Sequence, residues 1–298
     1  MCPACPSARR TSITCEVMAA ARMEWYGAAM TVTTSTIATI GDLLREWRQR
    51  RHLSQLALAC EAEISPRHLS FVETGRAQPS REMVLRLAER LDVPLRDRNA
   101  LLVAAGFAPV YRERPLDDPA LAAARTAIEF VLAGHEPYPA LAVDRHWHLV
   151  SHNRALMPLL SGVASHLLAP PVNVLRLSLH PEGVLPRIVN GAEWRAHILE
   201  RLRRQVTSTG DATLRSLLEE LRRYPAGPEG ARESAFEPGG VLVPLTIRTE
   251  AGDLSFVSTT TVFGTPMDVT LSELAIESFF PADAATAAAL RDLAEARG

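Results

Sequence analysis

The sequence predicts two folded parts in series. The first is an all-α bundle of five short helices over residues 37–106, and the second an α+β domain over 119–298 built on one five-stranded antiparallel sheet. Three observations carry this. Apolar residues recur at helical spacing, between polar caps, through the first part. Runs of β-branched residues bracket a turn late in the chain. Between the parts, residues 107–118 (FAPVYRERPLDD) hold two Pro and a cluster of charge and read as a linker or hinge.

Composition narrows what each part can do. Of 298 residues, 47% are hydrophobic and 22% charged, the balance of a globular chain in water. The net charge of −2 hides an uneven spread. Residues 40–114 hold thirteen Arg against ten acids, whereas residues 115–298 hold sixteen Arg against twenty-two acids. A basic block beside an acidic one points to a nucleic-acid partner for the first and a different partner for the second. All 32 basic residues are Arg. Without Lys there is no Walker-type phosphate loop and no Schiff-base or pyridoxal chemistry. No apolar run approaches the roughly 20 residues that span a bilayer. Arg9 and Arg10 are not followed by the apolar core of a secretory signal. No membrane partner is therefore expected, and the cytoplasm is the expected compartment.

Residues 1–36 mix Pro, Ser, Thr and small residues without apolar periodicity. They read as a disordered tail in which Met18, Met23 and Met30 are alternative starts. Three of the four Cys lie there. Cys2-x-x-Cys5 offers half a zinc site or a redox pair, but no second pair stands at a useful spacing. Ile40, Leu43, Leu44 and Trp47 give the first helix one buried face. The second helix follows Ser54 as N-cap and is expected to bury Leu56, Ala59 and Cys60. The third starts with Ser65 as N-cap and Pro66 at its first position, and stops at Gly75. The fourth follows Ser80 and carries Met83, Val84, Leu87 and Leu91. The fifth covers about Arg96–Ala105 and ends at Gly106.

From Pro119 a helix runs to about Leu132. Strands are expected around Ala140–Val143 and His148–Ser151, then a helix at Asn153–Leu160 and an apolar, Pro-interrupted stretch over 161–190. Amphipathic helices follow at Trp194–Val206 and Ala212–Arg223, then a Gly-, Pro- and Glu-rich loop at 225–240. Val241–Arg248 and Leu254–Phe263 form a hairpin about Glu250–Asp253. A strand near Leu274–Phe280 and a helix near Ala284–Ala296 close the domain.

The third helix carries the most specific chemistry. On a helical wheel Leu69 and Val72 face the core, Arg67, Ser70, Phe71 and Thr74 face away, and His68 lies on the flank. An outward Phe beside an Arg is unusual for a plain surface. It suits a DNA major groove, where Arg bonds guanine N7 and O6 and an apolar ring meets a thymine methyl. Gln55, at the start of the second helix, is placed to bond phosphate, and Arg76 and Arg81 flank the third helix for the same purpose. The same periodicity also describes a small bundle that binds a protein or dimerises.

The stretch SQLALACEAEISPRHLSFVETGRAQPS resembles the helix-turn-helix of the Cro/C1 (Xre) repressor class, over about residues 40–97. The matching features are Gln55, Ala59, Ser65, Leu69, Val72 and Glu73-x-Gly75. The resemblance implies that Arg48 pairs with Glu73 and that Pro66, Arg67, His68 and Phe71 read bases. The turn departs from the class: Ala62-Glu63-Ile64 has no Gly. A homodimer on a two-fold operator would set two reading helices about 34 Å apart.

The second part shows no G-x-S-x-G, H-E-x-x-H or Gly-rich dinucleotide loop, so no enzyme is expected. His146 and His148 on one strand face are either a metal pair or two polar residues on a solvated face with Trp147 turned inward. The second reading is expected, with no metal. Leu156–Leu168 and Val172–Leu179 supply many aliphatics beside the sheet, enough to enclose a pocket. His180, Arg187, Asn190, Trp194 and Arg195 follow, and either orient a ligand headgroup at its mouth or cap helices and buried backbone. Trp147 and Asn153 are further candidate ligand contacts.

The segments PALAVDRHWHLVSHN and NVLRLSLHPEGVLPRIVNGAEWRAHILERLRRQ resemble the MmyB-like regulators, in which an Xre-type helix-turn-helix is joined to a PAS-like ligand-binding domain. The likeness spans about residues 40–292. It implies a one-component transcription regulator that binds double-stranded DNA and holds a small apolar ligand such as a fatty acid. Two other readings stand beside it: a second part that only dimerises, or one with an unrecognised enzymatic activity.

Overall fold

The computed structural model describes residues 38–225, 243–264 and 266–296. The expected N-terminal tail, most of the 225–240 loop and the start of the Val241–Arg248 strand lie outside the described residues.

The first part is α1 (Ile40–Arg50), α2 (Gln55–Glu61), α3 (Pro66–Glu73), α4 (Arg81–Arg90) and α5 (Leu95–Ala104). The first four helices each start at a side-chain cap: Thr39, Ser54, Ser65 and Ser80 accept from Asp42, Ala57, His68 and Met83 N–H. Each cap satisfies a donor the helix cannot. Leu44, Trp47, Leu58, Leu69, Val72 and Leu87 pack the shared core.

One expectation is corrected here. In α2, Leu56 is 61% exposed and Cys60 is also exposed, while Leu58, Ala59 and Ala62 are buried. Leu58, Ala59 and Ala62 lie on the side of α2 that packs on α3 and α4, and Leu56 and Cys60 on the side that faces solvent. The α2–α3 turn manages without Gly because Glu63 itself takes the left-handed conformation, φ 56°.

Gly41 lets α1 and α3 meet at backbone contact. A Cβ there would lie 2.7 Å from the carbonyl oxygens of both Val72 and Glu73. Gly41→Ala is therefore expected to cost at least the roughly 1–3 kcal/mol typical of overpacking. Hydrogen exchange of the α1 and α3 amides would report it. Unchanged protection would mean that the two helices separate freely.

A 3₁₀ turn at Pro119–Leu121 leads into α6 (Ala122–Gly134), then β1 (Ala140–Val143), β2 (Leu149–His152), α7 (Val174–Leu179), α8 (Gly191–Thr209) and α9 (Ala212–Arg223). After these come β3 (Leu245–Thr249), β4 (Gly252–Val262), α10 (Val269–Ser272), β5 (Ala275–Pro281) and α11 (Ala284–Glu295). The strands form one sheet in the order β2-β1-β5-β4-β3 with every pairing antiparallel. β1 is buried on both faces. Leu141 and Val143 join the core made by α7–α9, whereas Ala140 and Ala142 pack with Ile128 and Leu132 of α6.

The helix expected at Asn153–Leu160 is 3₁₀ over Arg154–Leu160 and carries Pro158, which has no N–H for an α-helical ladder. The strand expected from His148 begins at Leu149. Trp147 before it has φ 68°, outside strand geometry, so His146 and His148 do not share a strand face.

Residues 107–118 are held at several points. Asn99 Oδ1 accepts from the N–H groups of Val110 and Tyr111 (3.0 and 3.1 Å). Arg112 O accepts from Val269 N (2.8 Å), and Arg114 pairs with Asp268 (2.9 Å). The segment is stitched to α5 and α10.

Candidate functional site

The first part turns on one buried carboxylate. The Glu73 side chain is wholly inaccessible. It accepts two bonds from Arg48, from Nε (2.7 Å) and Nη2 (2.9 Å), and one from Gln55 Nε2 (2.8 Å). Arg45 Nε lies 3.7 Å away. Burial pushes the Glu73 carboxyl up, but the bonds from Arg48 and Gln55 outweigh it and hold it below the usual carboxylate range. This clasp ties α1, α2 and α3 together. It also engages one amide N–H of Gln55.

On the opposite face of α3, Ser65, Pro66, Arg67 and Thr74 are exposed, and His68, Ser70 and Phe71 are half-buried. The Arg67 guanidinium sits 5.4 Å from the Phe71 ring centroid. The Thr74 hydroxyl donates to Ser70 O (2.7 Å), so it closes the helix end. Among the described residues, Arg67, Arg76 and Arg81 form no salt bridge. Three unpaired cations therefore border one exposed helix, an arrangement suited to a polyanion.

In the second part a cavity of about 100 Å³ lies between the sheet and α7–α8. Trp147, Trp194, Leu156, Leu175, Ile198 and Phe279 are among its walls. Its polar groups satisfy one another. Ser178 Oγ accepts from Trp194 Nε1 (2.9 Å), and Arg201 pairs with Glu277 while lying 4.5 Å over the Trp147 ring. What remains for a guest is apolar surface. Leu159 lines this cavity and also a larger one of about 650 Å³, whose walls include Arg154, Arg187, Arg248 and Leu290. Burial pulls the Arg187 guanidinium below its usual range.

The candidate ligand residues thus separate. Trp147 and Trp194 line the inner cavity and Arg187 the outer one. Asn153, His180, Asn190 and Arg195 line neither of these two cavities. Asn153 accepts from Ala140 N (3.0 Å) and donates to Tyr138 O (2.7 Å). Asn190 bridges Pro244 O (2.7 Å) and Thr246 N (3.1 Å). Arg195 donates to Arg222 O (2.9 Å) at the end of α9, and His180 Nδ1 accepts from Glu182 N (3.1 Å). Each is thus engaged with backbone groups.

Sequence reasoning missed the contacts between the two parts. Arg96 of α5 makes a bidentate pair with Glu273 (2.8 and 2.9 Å) and also meets Glu113 (2.7 Å). Arg50 of α1 and Arg51, which follows it, donate to Thr209 O (3.1 Å) and Ser208 O (3.4 Å) at the end of α8. Gly210, at φ 69°, leaves room there, since a Cβ would strike the Arg50 guanidinium. Asp97 lies nearby, and burial pushes its carboxyl up against the pull of Arg145 and Arg50.

Among the described residues no helix is long and apolar enough to cross a membrane. The family model of the MmyB-like transcription regulator ligand binding domain matches residues 124–293, and a helix-turn-helix domain model matches residues 39–101. Among solved structures the chain is similar to the clp gene regulator ClgR from Corynebacterium glutamicum. The two are 26% identical over 34% of this chain and 94% of that one, with a TM-score of 0.21. No curated protein matches the chain.

Proposed function

Since the chain belongs to the family of the MmyB-like transcription regulator ligand binding domain, we propose that this DNA-binding transcription regulator is a one-component switch. In it α3 reads operator bases, and the cavity beside Trp194 sets how firmly it does so. Arg67, His68, Ser70 and Phe71, with Ser65 and Pro66 at the helix start, face the bases. Gln55, Thr74, Arg76 and Arg81 face the sugar-phosphate backbone. The regulator acts as a homodimer on a two-fold operator, with the two α3 helices one DNA turn apart.

The observation that carries the reading is an unbroken set of contacts from the cavity to the reading domain. Arg201, on the cavity wall, stacks on Trp147. Trp147 Nε1 donates to Gln205 (2.8 Å), and Gln205 donates to Arg145 O (3.2 Å). Arg145 lies 3.5 Å from Glu273, which holds Arg96. A guest that shifts α8 therefore acts on α1 and α5 through direct contact. It changes DNA affinity only if it binds the two arrangements unequally.

The guest is small and apolar. About 100 Å³ takes a short chain or a ring, as comparable dry cavities do. A fatty acid needs Leu159 to swing aside and open the inner cavity to the outer one, where Arg187 meets its carboxylate.

Native mass spectrometry of the full chain, followed by denaturation, would identify a co-purified guest. An operator selected from random duplexes would then be titrated with and without it. A shift of about 5–150-fold is expected, the usual size of such coupling. Glu273→Gln should shrink that shift. A full shift in Glu273→Gln would rule out this route, and a guest-free dimer with no shift would favour a second part that only dimerises.

A further inference from the structure

We propose that the turn between β1 and β2 is a binding site for one divalent transition-metal ion of the zinc class, held by Asp144, His146 and His148 and closed by Asp211. The site is independent of whether the cavity holds a guest.

Asp144, His146 and His148 each offer one ligand atom, and these atoms all lie within 4.8 Å of one another. Asp144 Oδ2 is 3.0 Å from His148 Nδ1, and Asp211 Oδ2 is 3.0 Å from His146 Nε2. Donors bonded at 2.0–2.1 Å around a tetrahedral ion stand about 3.3 Å apart. Two donor pairs thus stand near that spacing, one within the turn and one joining His146 to Asp211, and an ion would have to draw the two pairs together. Two imidazoles and two carboxylates suit zinc and its neighbours better than magnesium or calcium, which favour all-oxygen sites.

The turn is built in advance. Asp144 Oδ1 accepts from the backbone N–H groups of His146 and His148, both at 2.8 Å. Trp147 between them is held at φ 68°, a conformation that costs free energy in a non-glycine residue and clusters at functional positions. Its buried indole, anchored on Gln205, fixes that conformation. Asp211 is likewise fixed, because its Oδ1 caps α9 by accepting from Thr213 N (2.7 Å) and Leu214 N (3.1 Å). Its Oδ2 is the oxygen left for an ion. All three turn residues are half-buried, within reach of solvent.

The charge opposing an ion is Arg145, whose Nη1 is 3.8 Å from Asp211 Oδ2 and 3.5 Å from Glu273 Oε1. An ion on Asp211 would drive Arg145 toward Glu273, the residue that grips Arg96 of the reading domain. The site thus has a physical route to DNA binding. The sequence offers His146 and His148 as a metal pair but does not reveal the last ligand, since Asp211 lies 65 residues beyond His146.

The test uses the full chain, stripped with a chelator and titrated with Co²⁺ and Zn²⁺. A second cluster, His166, His180 and Glu182, is more exposed, so the titration is run in a His166→Gln/His180→Gln background. One equivalent of Co²⁺ is expected, with the visible bands of four-coordinate cobalt and no thiolate charge-transfer band. Adding His146→Gln and His148→Gln should cost more than the roughly 10–100-fold typical of losing an outer-shell partner. If that variant does not fold, the Co²⁺ spectrum of the background protein decides. No uptake, thiolate bands, or an ion retained without His146 and His148 would each overturn the site.

Discussion

Glu73→Ala is expected to unfold the reading domain locally, at a cost of about 3–5 kcal/mol, the range for breaking a buried ion pair from one side. The loss is not simply of one contact. Arg48, with 12% of its side chain accessible, keeps its charge and loses its counter-ion, and Gln55 loses its acceptor. Beside apolar contacts, α1 and α3 then keep, among the described residues, only the bond from Arg45 to the main-chain carbonyl of residue 73, and α2 loses its side-chain tie to the clasp. Hydrogen exchange of the α1–α3 amides in the full chain would separate this from global unfolding. Protection within about 1 kcal/mol of the parent would show that the clasp is dispensable.

The same residue sets a pH dependence. Its folded carboxyl sits below its unfolded value, so the clasp stabilises fully above about pH 4.3. That stability is lost as pH falls through the folded value. Glu73→Gln, which cannot titrate, should flatten this acid limb while being less stable than the parent at neutral pH.

What was legible in the sequence follows from how local each signal is. The helices of the reading domain could be placed because most carry their own start signal, a Thr or Ser whose side chain bonds the chain three residues on. The β3–β4 hairpin could be placed because β-branched runs about a turn are a local signal. The sequence misplaces the buried face of α2, with Leu58 and Ala62 buried where Leu56 and Cys60 are expected, because the side of a two-turn helix that meets α3 and α4 is set by those helices and not by its own residues.

The ligand candidates show the limit most clearly. Asn190 and Arg195 beside an apolar stretch look like headgroup contacts. Their partners are backbone atoms of β3, 56 residues on from Asn190, and of the α9 end, 27 on from Arg195. The Arg96–Glu273 pair spans 177 residues and leaves no trace in either local sequence. Contacts of that kind are set by the fold, and they are the ones that would let one part regulate the other.

Arg67→Ala is expected to weaken operator binding by about 1–3 kcal/mol, and to do so selectively, by relaxing preference at one base position. The geometry argues for readout over mere attraction. A guanidinium is a planar fork with fixed donors, and stacking on Phe71 limits the rotamers it must give up on binding. Arg67→Lys keeps the charge and loses the fork, so it should recover affinity for bulk DNA but not the base preference. Arg76→Ala makes the contrast, since a phosphate contact carries no sequence information. It should weaken all duplexes alike and lower the salt slope by about 1. Phe71→Ala should overlap with Arg67→Ala, because the ring that orients the fork is gone in both, and the double variant should lose less than the sum. Selection from random duplexes, run on the parent and the five variants, reads preference and affinity together. If Arg67→Ala selects the same sequences with the same affinity, α3 does not lie in the groove through this face. The basic rim at Arg76 and Arg81 would then be the main contact.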